Sequence, residues 1–316
     1  MVNFFTYSPH TPSQCVRMKL LALVLLLSAF PSLTLMKVVQ DFAKATCTRV
    51  FIKSPNVHTV ITPTVFEGEQ YKHICQCWNN KCTFATLYNT QLRIPVYSAY
   101  TLSGKDDQKP NRNEEWKNEP QLENINRPNM EQIPINKMDE FFHQAVNRDY
   151  EESESNTEPK TKYTRGHVFP NQYAADDDQA ESTFTFTNVA PQTAHSNNRW
   201  AEQVETPMKK EIPNVCNKSD TSTFIVTGVV PGKNWISIKR KGKTIEKGVN
   251  IPSYYWTAFC CYISKNETRS KAYLSLQNQP NIMTYEFSRM SVDRLNIHLT
   301  RLYNQSFSVF SQLCLN

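Results

Sequence analysis

Thr164-Arg165-Gly166-His167, followed at a distance by Ser196-Asn197-Asn198-Arg199-Trp200 and then Glu205, is the stretch on which the reading of this 316-residue chain turns. Histidine can accept a proton at neutral pH, arginine can brace a phosphate oxygen, and glycine lets the backbone turn tightly between them. An Arg-Gly-His triplet alone is a weak signal, since a surface arginine beside a structural histidine is common. The downstream segment gives it weight. Ser196 reads as the N-cap of a helix with Trp200, Val204 and Met208 at helical spacing, and Pro207 is expected to kink or end that helix. Asn197 and Glu205 are eight residues apart, close to two turns and a rise of ~12 Å. Both cannot touch one ion, so Asn197 is the expected direct ligand and Glu205 an outer partner acting through a water. A neutral amide oxygen with water is a hard, weak donor set that suits Mg²⁺, with Mn²⁺ as a substitute. The helix N-terminus adds a field favourable to phosphate.

Outward from this stretch the chain reads as mixed α+β. Ser182-Thr183-Phe184-Thr185-Phe186-Thr187-Asn188 alternates strictly and predicts a half-buried strand between the triplet and the helix. Phe84 to Tyr100 predicts two strands joined by a turn at Asn89, and Thr223–Val230 and Tyr254–Ile263 predict buried strands. Ser291 should cap a last helix with Val292, Leu295, Leu299 and Leu302 on one apolar stripe. Ser103 to Pro134 reads as an irregular surface loop, and Glu151 to Lys162 as a solvated acidic one rather than a metal cluster. The basic run Lys239-Arg240-Lys241-Gly242-Lys243 could grip a polynucleotide backbone, could bind glycan, or could be a merely solvated loop. His195 reads as a loop histidine held by a backbone hydrogen bond. No internal repeat is visible, and residues 37–316 are expected to form one domain.

The N-terminus sets the compartment. Arg17 and Lys19 precede the apolar run Leu20 to Phe30, the pattern of a secretory signal peptide in region 1–36, with Met18 as a second candidate start. The run is too short to span a bilayer, and no later segment offers a membrane anchor. Beyond Cys15 the cysteines are Cys47, Cys75, Cys77, Cys82, Cys216, Cys260, Cys261 and Cys314, an even set that predicts disulfides in an oxidising compartment. Adjacent Cys260 and Cys261 on a strand would face opposite ways and bond different partners. Asn217, Asn266 and Asn304 are N-glycosylation acceptors by pattern. Removing Arg17 and Lys19 from the formal charge of +6 leaves +4, a mild excess that tolerates a polyanionic substrate without demanding one.

The ordered set Arg165-Gly166-His167, Asn188-Val189-Ala190-Pro191-Gln192, Asn197 and Glu205 resembles the DNA/RNA non-specific endonucleases of the ββα-metal (His-Me finger) fold. The flanks, from Tyr71-Lys72-His73-Ile74-Cys75 to Ile251-Pro252-Ser253-Tyr254-Tyr255-Trp256, are similar to the endonuclease domain-containing 1-like branch. That resemblance implies a mixed, mainly antiparallel sheet flanked by helices. It implies DNA and RNA as substrates, and cleavage to 5′-phosphate and 3′-hydroxyl ends with one Mg²⁺. By position, His167 matches the general base and Arg165 a phosphate-stabilising arginine. Asn197 matches the metal ligand, Glu205 the outer-shell carboxylate, Asn188 a site-ordering asparagine, and Arg112 in Arg112-Asn113-Glu114-Glu115-Trp116 a second substrate arginine. Three departures stand out, one of them the acidic Glu151 to Glu154 insert just ahead of the site, which could repel nucleic acid. Thr164 replaces the family's aspartate, and Trp200 follows Asn197 by three residues where four are usual, which makes Asn198 a fallback ligand. The rival reading is a catalytically weak or inactive secreted protein that binds nucleic acid or glycan.

Overall fold

The structure, a computed structural model, describes residues 38–56, 58–102, 114–127, 130–153, 161–216, 223–279 and 286–316. Within them the strands run, in chain order, β1 (Val38–Val39), β2 (Ile52–Lys53), β3 (Val60–Ile61), β4 (Tyr71–Trp78), β5 (Lys81–Asn89), β6 (Ile94–Leu102) and β7 (Thr164–His167). Then follow β8 (Val189–Gln192), β9 (Thr223–Val230), β10 (Asn234–Arg240), β11 (Lys243–Ile251), β12 (Tyr254–Ser264), β13 (Glu267–Leu276) and β14 (Phe287–Met290). Eight of them form one sheet in the order β1-β4-β5-β6-β9-β12-β13-β14, antiparallel at every pairing. The pairs β2-β3, β10-β11 and β7-β8 stand as separate two-stranded ribbons.

Along β12 the side chains alternate between two destinations, and both are apolar. Trp256, Ala258 and Cys260 enter one core; Tyr255, Phe259 and Cys261 enter the other. Period-two alternation on a strand covered on both faces gives this result, which is why the strand reads as a nearly continuous apolar run. The first core is closed by the helix Val292–Tyr303, whose Val292, Leu295 and Leu299 are buried. Ser291 caps that helix by accepting from Arg294 N, and Ser270 Oγ donates to the Cys314 carbonyl beyond its end. The second core is closed by the ribbon β7-β8 and the helix that follows it, with Trp200, Val204, Met208 and Ile212 packed inward. The two adjacent cysteines do bond to opposite sides, Cys260 to Cys314 and Cys261 to Cys216. Cys47–Cys75 and Cys77–Cys82 complete the pairing of the described cysteines.

Three expectations are corrected. The alternating Ser182–Asn188 segment is not a strand: a helix, Asp177–Thr183, leads through a single bridge at Thr185 into a one-turn helix, Phe186–Asn188. The threonine face is as buried as the phenylalanine face, because Thr187 Oγ1 accepts from the buried Gln76 amide at 2.7 Å. The loop after Ser103 does not stay on the surface. Lys117, Asn118 and Glu119 are buried, and Lys117 exchanges backbone hydrogen bonds with Phe184 and Phe186. Glu151 belongs to the helix Asn147–Glu151 rather than to a loop; 103–113, including Arg112, and 154–160 lie outside the described residues. The outcome is an α+β molecule, a mainly antiparallel sheet flanked by helices, in which β7 and β8, with the helix Asp177–Thr183 between them in sequence, lead into the helical segment that ends at Val215.

Candidate active site

Gly166 decides the local architecture. In the β7-β8 ribbon Arg165 lies opposite Pro191, Gly166 opposite Ala190 and His167 opposite Val189. A Cβ on Gly166 would meet Gln192 Oε1 at 2.0 Å, so only glycine admits the buried Gln192 side chain, which donates to Gln277 Oε1 at 2.8 Å. Beneath the ribbon, the Tyr255 hydroxyl lies 3.1 Å from the Gly166 carbonyl and 3.2 Å from that of Ala190, fixing it to the main sheet. Alternation along β7 then sends Thr164 toward the following helix and Arg165 and His167 toward Trp116.

That helix starts three residues earlier than expected. Thr193, not Ser196, is its N-cap: the Thr193 hydroxyl accepts from Ser196 N at 3.1 Å and the helical residues begin at Ala194. His195 therefore sits in its first turn rather than in a loop. Ala194–Trp200 is α-helical, Ala201–Glu205 widens into a π-turn, and Thr206–Val215 resumes the α-helix. Pro207 has no N–H to give, and the π-turn just ahead of it absorbs that loss without ending the helix. Asn197 lies one turn in from the start and donates from Nδ2 to Thr164 Oγ1 at 3.1 Å. Thr164 in turn donates to the Gln192 carbonyl at 2.9 Å. The threonine in place of the family's aspartate thus fastens the helix to the ribbon.

His167 and Arg165 share one neighbour. The Trp116 ring centre is 5.5 Å from that of His167 and 5.1 Å from the Arg165 guanidinium, and Phe184 packs edge-on to His167 at 5.1 Å. Tyr150 and Phe186 complete an aromatic wall around the arginine, at 5.7 and 5.9 Å. One guanidinium nitrogen of Arg165 donates to Asn147 Oδ1 at 2.5 Å and lies 3.7 Å from the Glu151 carboxylate. Burial lowers the Arg165 pKa, with Tyr150, Glu151 and Glu114 opposing, and an arginine remains charged throughout.

Asn188 is fully buried behind the histidine, and its amide is committed. Oδ1 accepts from Phe169 N at 2.9 Å and Ser98 Oγ at 3.0 Å; Nδ2 donates to the carbonyls of Phe169 and Thr183, both at 3.1 Å. Its carbonyl also accepts from Val168 N at 2.8 Å. Such an asparagine orders the chain leaving His167 and does not itself face a ligand. Glu205 is 8 % exposed; its Oε2 accepts from Gln172 Nε2 at 2.9 Å and its backbone carbonyl from the Tyr173 hydroxyl at 2.6 Å. Burial raises its carboxyl from 4.5 to about 7, with Gln172 and Trp200 pulling partly the other way.

A divalent cation fits these donors. The Asn197 amide is turned by Thr164 so that Oδ1 is the atom left for a hard ion, and Glu205 is a desolvated carboxylate whose charged form a nearby cation would stabilise. No group of three or more His, Cys, Asp or Glu side chains that could cage a metal occurs among the described residues. Reading the sequence missed Asn147, Tyr150, Trp116 and Gln172. Trp116 alone left a trace, as the aromatic end of the Arg112–Trp116 motif.

The family model for DNA/RNA non-specific endonuclease matches residues 71–304. Human endonuclease domain-containing 1 protein is 30 % identical over 212 residues, 64 % of this chain and 37 % of that protein. The mouse protein of the same name is 28 % identical over 225 residues, 69 % of this chain and 39 % of that one. The chain thus spans under two-fifths of the length of these curated relatives. A crystal structure of the EndoG/EndoGI complex superposes with a TM-score of 0.48 at 15 % identity, covering 74 % of this chain and 85 % of the other. The chain belongs to the DNA/RNA non-specific endonuclease family.

Proposed function

We propose that this chain is a secreted endonuclease that hydrolyses DNA and RNA phosphodiester bonds, with little regard for sequence, to 5′-phosphate and 3′-hydroxyl ends. The observation that carries the reading is the hydrogen bond from Asn197 to Thr164, which joins the metal-ligand candidate to the strand bearing Arg165 and His167. Phosphodiester hydrolysis needs a base, positive charge at the phosphorane and help for the leaving oxygen. His167 takes the proton of the attacking water, held by Trp116 and Phe184 and by the chain that Asn188 immobilises. Arg165 offsets charge on the non-bridging oxygens, and Arg112, outside the described residues, is the second substrate arginine that the family resemblance implies. Asn197 and Glu205 would hold Mg²⁺, or Mn²⁺ in its place. When bound, that ion supplies Lewis-acid stabilisation of the departing 3′-oxygen. Four disulfides in the described chain, the N-terminal signal pattern and exposed acceptors at Asn266 and Asn304 support an extracellular site of action. Among the described residues no helix is long and apolar enough to cross a membrane.

The test is to express the protein through a secretory host and to incubate it with plasmid and with RNA, with Mg²⁺ and with chelator. Cutting of both in Mg²⁺ alone supports the reading; no cutting across a wide pH range contradicts it. One observation favours the weaker reading, a nuclease fold with little turnover that acts by binding nucleic acid or glycan. Arg165 is already engaged by Asn147 and Glu151. If that engagement restrains it, Glu151→Gln should raise turnover several-fold on the same plasmid.

A further inference from the structure

The β10-β11 ribbon carries charge that the site does not use. Lys239, Lys241 and Lys243 at its turn end are exposed, as are Lys247 along it and Lys233 just before β10, and Glu246 is the only acid within β10 and β11. Among the described residues no acidic side chain pairs with these lysines, although Lys241 Nζ lies 5.4 Å from the Phe142 ring. Lys241 at φ 49° and Gly242 at φ 73° make the tight two-residue turn that suits the twist of a hairpin, so the tip is not a slack loop.

Arg240, in the middle of the lysines, turns the other way. It is 1 % exposed and grips Asp149 through both ends of its guanidinium, at 2.7 and 2.6 Å, while Nε donates to the Phe141 carbonyl. Asp149 also accepts from Val146 N at 2.9 Å. A buried pair of this kind returns little more than its desolvation cost, and apolar side chains of similar size would hold two elements together as well. What it fixes is position: the ribbon tip is set against the helix Asn147–Glu151 in one register. Arg148 of the same helix donates to the Lys239 carbonyl at 3.0 Å and to Asp139 at 2.6 Å, and Asp139 accepts in addition from the Lys241 backbone N–H. The flanking residues of that helix, Asn147 and Glu151, are the ones that hold Arg165. One five-residue helix therefore ties the exposed lysines to the candidate phosphate-binding arginine.

We propose that the β10-β11 tip, through Lys239, Lys241 and Lys243, is a rail for the sugar-phosphate backbone of a polynucleotide whose scissile bond lies at Arg165 and His167. This rests on the nuclease reading for its ligand, and on the bracing just described for its geometry. Cations at fixed distance from the cutting site contact phosphates of any sequence, adding affinity and register without base recognition. They also draw a long substrate more than a short one.

The test replaces the three exposed lysines together, Lys239→Gln, Lys241→Gln and Lys243→Gln, and leaves Arg240 intact. Binding of a fluorescent DNA duplex is measured by anisotropy in chelator between about 50 and 200 mM salt, where each phosphate neutralised contributes about 0.9 to the slope of log affinity against log salt. The proposal expects the slope to flatten by about 2 to 3, and the loss in kcat/KM to be larger on long DNA than on a dinucleotide too short to reach the tip. An unchanged slope, or a wild type that does not bind the duplex, overturns it. So does a variant that loses retention on heparin while keeping the full DNA slope, which would make the tip a glycan surface. A wild type that binds with the expected slope and cuts nothing would sink the nuclease reading and leave the rail standing.

Discussion

Glu205 is kept out of water with one amide and one indole for company, and its proton affinity reports the cost. With the carboxyl raised from 4.5 to about 7, the native state binds a proton that the unfolded chain has already released between those values. Without metal, stability should therefore fall as pH rises through that window and level off above it, by an amount on the order of 3 kcal/mol. Thermal unfolding in chelator at acid and alkaline pH measures this, and Glu205→Gln should flatten the dependence while raising the Mg²⁺ concentration needed for activity about 10- to 100-fold. A wild type equally stable at both ends of the range would show that the carboxylate is solvated in solution. Thr164 gives a second prediction: Thr164→Val removes both its hydrogen bonds and should raise the Mg²⁺ concentration needed for cleavage in a metal titration, and Thr164→Ser should restore it. An unaffected valine variant would mean that Asn197 needs no help. The family was legible because the chemistry of His167, Arg165, Asn197 and Glu205 is scarce and their order specific. The role of Thr164 was not, since its partner lies 33 residues away on another element. Arg165 stood out in the sequence as a phosphate-ligand candidate, but its hold on Asn147 depends on a helix whose position no local pattern encodes.

At the scale of elements, the ribbon β7-β8 depends on one missing Cβ. Gly166→Ala would push a methyl group into the buried Gln192 side chain, and overpacking of that kind costs typically 1–3 kcal/mol. A lowered melting temperature with activity lost in proportion is expected; an alanine variant of wild-type stability would show that Gln192 has room to move. Asp149→Ala should cost more, about 3–5 kcal/mol, because it strands the Arg240 charge in the interior. Asp149→Ala together with Arg240→Leu should recover much of that stability in denaturant melts. The long elements were readable: four-residue spacing of Trp200, Val204, Met208 and the stripe from Val292 both gave helices in the right place. The Phe-Thr alternation at 182–188 misled because alternation marks a strand only when the polar face meets water, and here both faces are buried. The helix start was misplaced because Thr193 and Ser196 are both good caps, and only the ribbon geometry selects the first.

Across the whole molecule, a sheet buried on both faces separates the core under the helix Val292–Tyr303 from the core that carries the site. Cys260–Cys314 and Cys261–Cys216 staple one cover to each side of β12. The even cysteine count made disulfide bonding legible, and the alternation at Cys260 and Cys261 made the two directions of bonding legible; the partners were not, because pairing depends on which chain end lies over which face. The account stands on His167 as the base of a metal-assisted nuclease site, and one comparison tests it most directly. Wild type and His167→Ala, purified side by side from the same secretory host, are assayed on one plasmid with Mg²⁺ and with chelator. The account predicts cutting by the wild type in Mg²⁺ only, a fall of at least ~10²-fold in the alanine variant, and DNA binding retained in both. Equal cutting by the two proteins, or cutting that chelator does not stop, would contradict it.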